Sequence, residues 1–154
     1  MRDDIENILL NITTLCQQKH QLLQKIHTNC KNKHYYLKTD NIDSLNESFK
    51  KDKDLYERHG MLEFEINNLR RKICKIAGID VFKFENYFLN MKEKSCSDLK
   101  EILHRIENLL FSLEKDNEDL IIKMEKRLGT LKVDIDSLSA LQRWHSYKRS
   151  IAKK

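Results

Sequence analysis

The chain contains no proline, three glycines and one tryptophan in 154 residues. Tight loops and sheet corners draw on Gly, Pro, Asn and Asp for their turn dihedrals, so a chain this poor in the first two has few sharp corners. No stretch approaches the roughly 20 apolar residues that a membrane-spanning helix needs. The N-terminus, Met1-Arg2-Asp3-Asp4, carries no apolar signal-peptide core, which leads to an expectation of a cytoplasmic protein. The four cysteines, Cys16, Cys30, Cys74 and Cys96, form no CxxC pair, and in a reducing compartment they read as free thiols packed as small apolar groups. Walker, GxGxxG and HExxH patterns are missing. No cofactor or small-molecule substrate is expected, and the chain is not expected to be an enzyme.

What is present is charge and periodicity. Asp, Glu, Lys and Arg make up 34% of residues beside 40% hydrophobic ones, the balance of helices with one apolar stripe and one solvated face. The net charge of +5 comes from 29 basic and 24 acidic residues interleaved along most of the chain. Nucleic-acid binders gather positive charge on one face, so this mixture points away from that class.

The first segment, about 3–37, repeats every seven residues in two adjacent rows. One row is Ile5, Ile8, Ile12, Leu15, Leu22 and Ile26; the other is Leu9, Cys16, Leu23, Cys30 and Leu37. Two neighbouring rows make a stripe that touches two partner helices, as in a bundle. Asp3 or Asp4 suits the positive end of this helix. Thr39-Asp40-Asn41 is the first corner, with Asp40 expected to cap the second helix and Asp43 to answer it as in a capping box. That helix, about 41–77, carries Ile42, Leu45, Phe49, Leu55, His59, Leu62, Ile66, Leu69, Ile73 and Ile76. Gly60 is a soft spot within it, and Gly78 stands where a left-handed C-terminal cap belongs.

A short aromatic helix is expected over about 81–91, with Phe82, Tyr87 and Phe88 plugging the end of the bundle. The last helix, about 97–142, is capped by Ser95 or Ser97 and follows Leu99, Ile102, Ile106, Leu109, Leu113 and Leu120, with Asp116 where an apolar residue belongs. Its spacing slips at Met124 and Leu128 and resumes at Leu131, Ile135 and Leu138; an inserted step of four unwinds a supercoil locally. The fold class is thus all-α, an antiparallel bundle or coiled coil of three long helices plus a short connecting helix, in a single helical domain 1–154 with a basic tail 143–154. A final helix longer than its partners would overhang them.

Three candidate constellations stand out. His20, His27 and His34 are spaced by seven, which separates neighbours by about 10.5 Å along a helix, too far to share one ion, so they read as solvent-facing. His59 and His104 could meet a cysteine across helices, but no Gly-bearing turn offers an oxyanion site, and the core reading is preferred. Arg70-Arg71-Lys72 with Lys75 is one basic cluster. In the other, Trp144 and Tyr147 share a helical face with Arg143 and Arg149 nearby, a set that serves either base stacking or a protein partner; the latter is favoured for want of a wider basic face.

The last helix also carries Leu113-Glu114-Lys115-Asp116-Asn117-Glu118-Asp119-Leu120-Ile121. This run of Leu, spacer, Asn and paired aliphatics resembles a segment of the FlgN family of flagellar type III export chaperones. The order of elements is similar over most of the chain: a long first helix, a charged second one (Lys51-Asp52-Lys53-Asp54-Leu55, then Leu62-Glu63), a variable middle and a longer third. Family members often end in Tyr-Gly, whereas Tyr147 here precedes Lys148. The resemblance implies a cytosolic chaperone that holds the terminal amphipathic segment of hook-associated (hook-filament junction) proteins, keeps them from aggregating and delivers them to the cytoplasmic domain of an export-gate membrane protein. It implies no nucleic acid, and a monomer or homodimer. The client surface is expected on the overhang, at Leu131, Ile135, Leu138, Leu141, Trp144 and Tyr147. Side chains of this size contribute about 1.5–3 kcal/mol each on burial before ordering costs. The alternative is a structural coiled-coil adaptor with no client release, in which those rows are core.

Overall fold

A computed structural model describes residues 2–127 and 139–146. The protein is all-α: α1 (Asp3–Lys38), α2 (Ile42–Ala77), a single 3-10 turn (Val81–Lys83), α3 (Phe84–Phe88) and α4 (Lys94–Arg127), followed by a helical segment at 139–146. It forms a bundle of three long helices with a short connecting helix, as the heptad rows require. Two compact units divide the chain, one from residues 1–22 and 57–107, the other from 23–56 and 108–154. No helix among the described residues is long and apolar enough to cross a membrane.

Both α1 rows are buried except Leu15, which is half-buried. In each unit α1 and α2 are joined by an ion pair. In the first unit Lys19 pairs with Glu63; in the second Lys33 pairs with Asp52. α4 runs parallel to α1 in the second unit, His27 meeting Asp116 and Leu37 meeting Arg127.

The corner between α1 and α2 is built differently from the capping box expected. Asp40 is in the left-handed region, φ 55°, with its N–H donating to the Leu37 carbonyl while the Asn41 N–H donates to that of Tyr36. That is a Schellman cap, normally completed by glycine; Asp is one of the few other residues that tolerates the conformation. Asp40 therefore ends α1, and Asn41 begins α2 by accepting from the Ser44 N–H at 3.2 Å. The correction follows from the corner's shortness, since one residue has to stop a helix before the next can cap another.

Gly78 is the cap foreseen, with φ 71° and the paired bonds Gly78 N–H to Lys75 and Ile79 N–H to Cys74. Gly60 sits inside an unbroken α2. A Cβ added at either glycine meets nothing within 4 Å, so backbone conformation alone decides the effect. Gly60→Ala is expected to raise stability by about 0.5–1 kcal/mol, because alanine loses less entropy in a helix. Gly78→Ala is expected to lower it by about 1 kcal/mol, because a Cβ is strained at positive φ. Chemical denaturation of the two variants should give shifts of opposite sign.

Two aromatic assignments change. Phe84 and Phe88 are the buried pair, their ring centroids 5.1 Å apart, and the Arg70 guanidinium lies over Phe84 at 4.9 Å. Phe82 is 95% exposed and Tyr87 is 43% exposed. Spacing explains this: residues four apart on α3 share an inward face, while Phe82 belongs to the preceding 3-10 turn, out of phase with it.

The last helix needs the largest correction. It starts at Lys94 instead of 97 and is described as far as Arg127, and residue 142 does not continue it as one rod. Gln142 donates to Glu125 at 3.2 Å, and His145 faces Glu118, also at 3.2 Å. In one continuous helix residues 125 and 142 would stand about 25 Å apart. The chain has turned back, and 139–146 runs antiparallel to α4.

Candidate functional site

The returning segment and the buried polar groups around it make the second unit the most distinctive part of the molecule. Leu141 and Trp144 are 1% and 8% exposed, and the indole stacks on Tyr56 of α2 with centroids 4.2 Å apart and planes 13° from parallel. With α4 holding Gln142 and His145, the segment lies against both α2 and α4. An amphipathic helix is thus seated by its apolar face, the arrangement of helix-in-groove recognition.

This overturns the expectation of an uncovered edge at two of its six positions. Leu141 and Trp144 are sealed by the protein's own residues, because the reversal after α4 puts them against Tyr56 and α4 instead of beyond the bundle's end. Leu131, Ile135, Leu138 and Tyr147 lie outside the described residues. One face of the Trp144 ring is covered by Tyr56. In the other basic cluster, Arg70 is engaged with Phe84, while Arg71, Lys72 and Lys75 are exposed.

Beneath the segment lies a set of buried polar side chains that periodicity alone did not reveal. Lys33 and Asp52, 1% and 4% exposed, form an ion pair between α1 and α2. Asn29 ties it down, donating to the Asp52 carboxylate at 2.6 Å and to the Ser48 carbonyl at 2.8 Å. The Lys33 ammonium also stands 4.9 Å from the centre of the Phe49 ring. Burial and the neighbouring Asp52 charge together hold the Tyr56 phenol well above its ordinary range, so it stays neutral under Trp144.

The irregular position in α4 finds its reason here. His27 contacts the Asp116 carboxylate at 2.7 Å, and His34 reaches the Asp116 carbonyl at 2.9 Å. Both histidines are half-buried and engaged across helices, not solvent-facing as their place beside the apolar stripe implied. Beside them Cys30 donates to the Asn117 side-chain oxygen at 3.1 Å. In the first unit His59 is buried in its apolar row, 3.8 Å from Glu63.

All four cysteines are free and buried. Burial pushes the Cys16 thiol up to about 11, Lys19 opposing, and the Cys30 thiol up to about 12, Lys33 opposing. Burial likewise raises Cys74 and Cys96. Thiols held neutral in this way are poor nucleophiles and poor metal ligands. Their titration also sets a pH limit. Unfolded thiols ionise near pH 9, whereas the folded ones keep their protons to about 11 and 12, so unfolding above pH 9 releases protons. Stability is therefore expected to be insensitive to these groups below pH 9 and to fall as pH rises from 9 toward 11. Denaturation midpoints at pH 8 and pH 10.5 check this, with Cys30→Ala expected to show the shallower decline.

What the second unit offers chemically is a place to hold a helix: an aromatic platform, an apolar strip and a polar interior that fixes both. Among known proteins, no family model, curated protein or solved structure matches the chain.

Proposed function

We propose that the protein is a binding protein for amphipathic helices, acting as a cytosolic flagellar export chaperone that holds the terminal segment of hook-associated proteins and brings them to the export gate. The flagellar part of this reading rests on the resemblance carried by the stretch from Leu113 to Ile121. The observation that carries the binding role is the seating of residues 139–146, with Leu141 and Trp144 buried and Trp144 stacked on Tyr56. The client site is accordingly moved from a free overhang to the groove between α2 and α4, where a client helix replaces the chain's own segment. Such exchange costs the energy of undocking one short helix and returns that of docking another, so affinity is set by the difference.

Trp144 is the sole tryptophan, which makes the exchange visible. The full chain is mixed with a junction subunit, with that subunit lacking its terminal segment, and with a Trp-free peptide of the segment. Binding is expected for the first and third, with a red shift of Trp144 emission as the indole leaves Tyr56. Equal binding to the intact and truncated subunits, or to neither, removes the assignment.

The same burial also favours a second reading, a structural coiled-coil adaptor with the groove permanently filled by its own helix. Light scattering and proteolysis separate the two. A tight dimer protected throughout its length supports the adaptor, and a monomer cut readily near its C-terminus supports the chaperone.

A further inference from the structure

Glu114 and Glu118 lie one helical turn apart on α4, and His145 comes from the returning segment to face them. Their ligand atoms all lie within 4.8 Å of one another, and His145 Nε2 is already 3.2 Å from Glu118 Oε1. Ligands of a tetrahedral zinc ion, each about 2.0–2.2 Å from the metal, sit roughly 3.3 Å from each other, so small rotamer adjustments close the set around an ion. Spacing of four on one helix is the spacing that lets two side chains converge.

We infer that Glu114, Glu118 and His145 bind a divalent first-row transition ion, Zn²⁺ being the best suited, and that the ion clamps segment 139–146 to α4. Three observations carry this. First, two carboxylates four residues apart repel one another on a helix, and a cation between them turns that repulsion into attraction. Second, His145 is only 8% exposed and its ring is already held with Nε2 facing Glu118, where a ligand nitrogen is needed. In the Nδ1-protonated tautomer Nε2 carries its lone pair toward the two carboxylates, the form that an ion between them selects. Third, the donors come from two separate parts of the chain, so an ion here joins what sequence holds apart. The imidazole disfavours Ca²⁺ and Mg²⁺, which take oxygen ligands, and three protein ligands leave room for water.

The site is separate from the cysteines, all of which are buried elsewhere, and it belongs to the docked position of the segment, independent of what a client does. The full-length protein, freed of metal by chelator and kept reduced, is titrated with Zn²⁺ against a chromophoric chelator near neutral pH. In parallel Ni²⁺ is added while Trp144 emission is followed, because a paramagnetic ion beside His145 quenches the adjacent indole. One Zn²⁺ per chain is expected, with affinity falling at least about tenfold in both Glu118→Gln and His145→Gln, as loss of a direct ligand demands. Ni²⁺ quenching is expected to be reversed by Zn²⁺. Glu118 is partly exposed, so its amide variant keeps the fold intact and the comparison valid. Absence of binding at submillimolar Zn²⁺ overturns the inference. So does binding that both variants leave unchanged, the behaviour of thiol ligation.

Discussion

Replacing Asp52 with alanine is expected to cost about 3–5 kcal/mol of global folding stability. The carboxylate is 4% exposed and its partner Lys33 is 1% exposed, so removing it strands an ammonium where water cannot reach. The Asn29 amide loses an acceptor at the same moment. The pair is not worth that much in itself. Taking two charges out of water offsets most of their attraction, so a double replacement by apolar residues of similar volume, Lys33→Met with Asp52→Leu, is expected to recover most of the loss. Guanidinium denaturation of the two single variants and the double one gives the coupling directly. A loss below about 1 kcal/mol for Asp52→Ala would show that water or another carboxylate serves the stranded ammonium.

Trp144→Ala is the second large effect, and it is expected to be local. Truncating a buried tryptophan costs about 3–5 kcal/mol where the surroundings cannot collapse. A short segment held by Leu141, Trp144 and two polar contacts responds to such a loss by leaving its groove, while the three long helices stay folded. The expected signature is faster tryptic cleavage after the exposed Arg143, with little change in the main unfolding transition. Trp144→Phe retains an aromatic face over Tyr56 and is expected to restore most of the protection. If cleavage is unchanged in the alanine variant, the stack on Tyr56 is not what holds the segment.

The heptad rows made the long helices legible because each buried position contributes the same kind of signal, and ten of the eleven α1 row residues are buried. Gly78 was equally readable, since few residues other than glycine adopt its conformation. The buried ion pair was not read, yet its trace is there. Lys33 falls on the row Ile26, Cys30, Lys33, Leu37, and Asp52 falls on Leu45, Phe49, Asp52, Leu55. Two opposite charges, each standing in an apolar slot of neighbouring antiparallel helices, have one economical resolution, and the fold adopts it. Asp116, in an apolar slot of α4, likewise finds a polar partner on α1, the half-buried His27.

The antiparallel course of 139–146 along α4 was not legible for a different reason. Apolar spacing reports which residues face inward and is silent about whether two in-phase stretches belong to one rod or to two. The expected uncovered edge fails at Leu141 and Trp144 because it assumed one continuous rod as far as 142.

The parallel run of α1 and α4 also imposes an order of assembly. Contacts between α1 and α2 join residues about 20 apart in the second unit, such as Asn29 and Asp52, whereas those between α1 and α4 span almost 90, as from His27 to Asp116. A ribosome delivering this chain releases the first two helices long before the third, so the nascent hairpin meets the cell with one flank of its two-row stripe bare. The imidazoles of His27 and His34 border that flank, giving it a polar margin during the interval before α4 arrives.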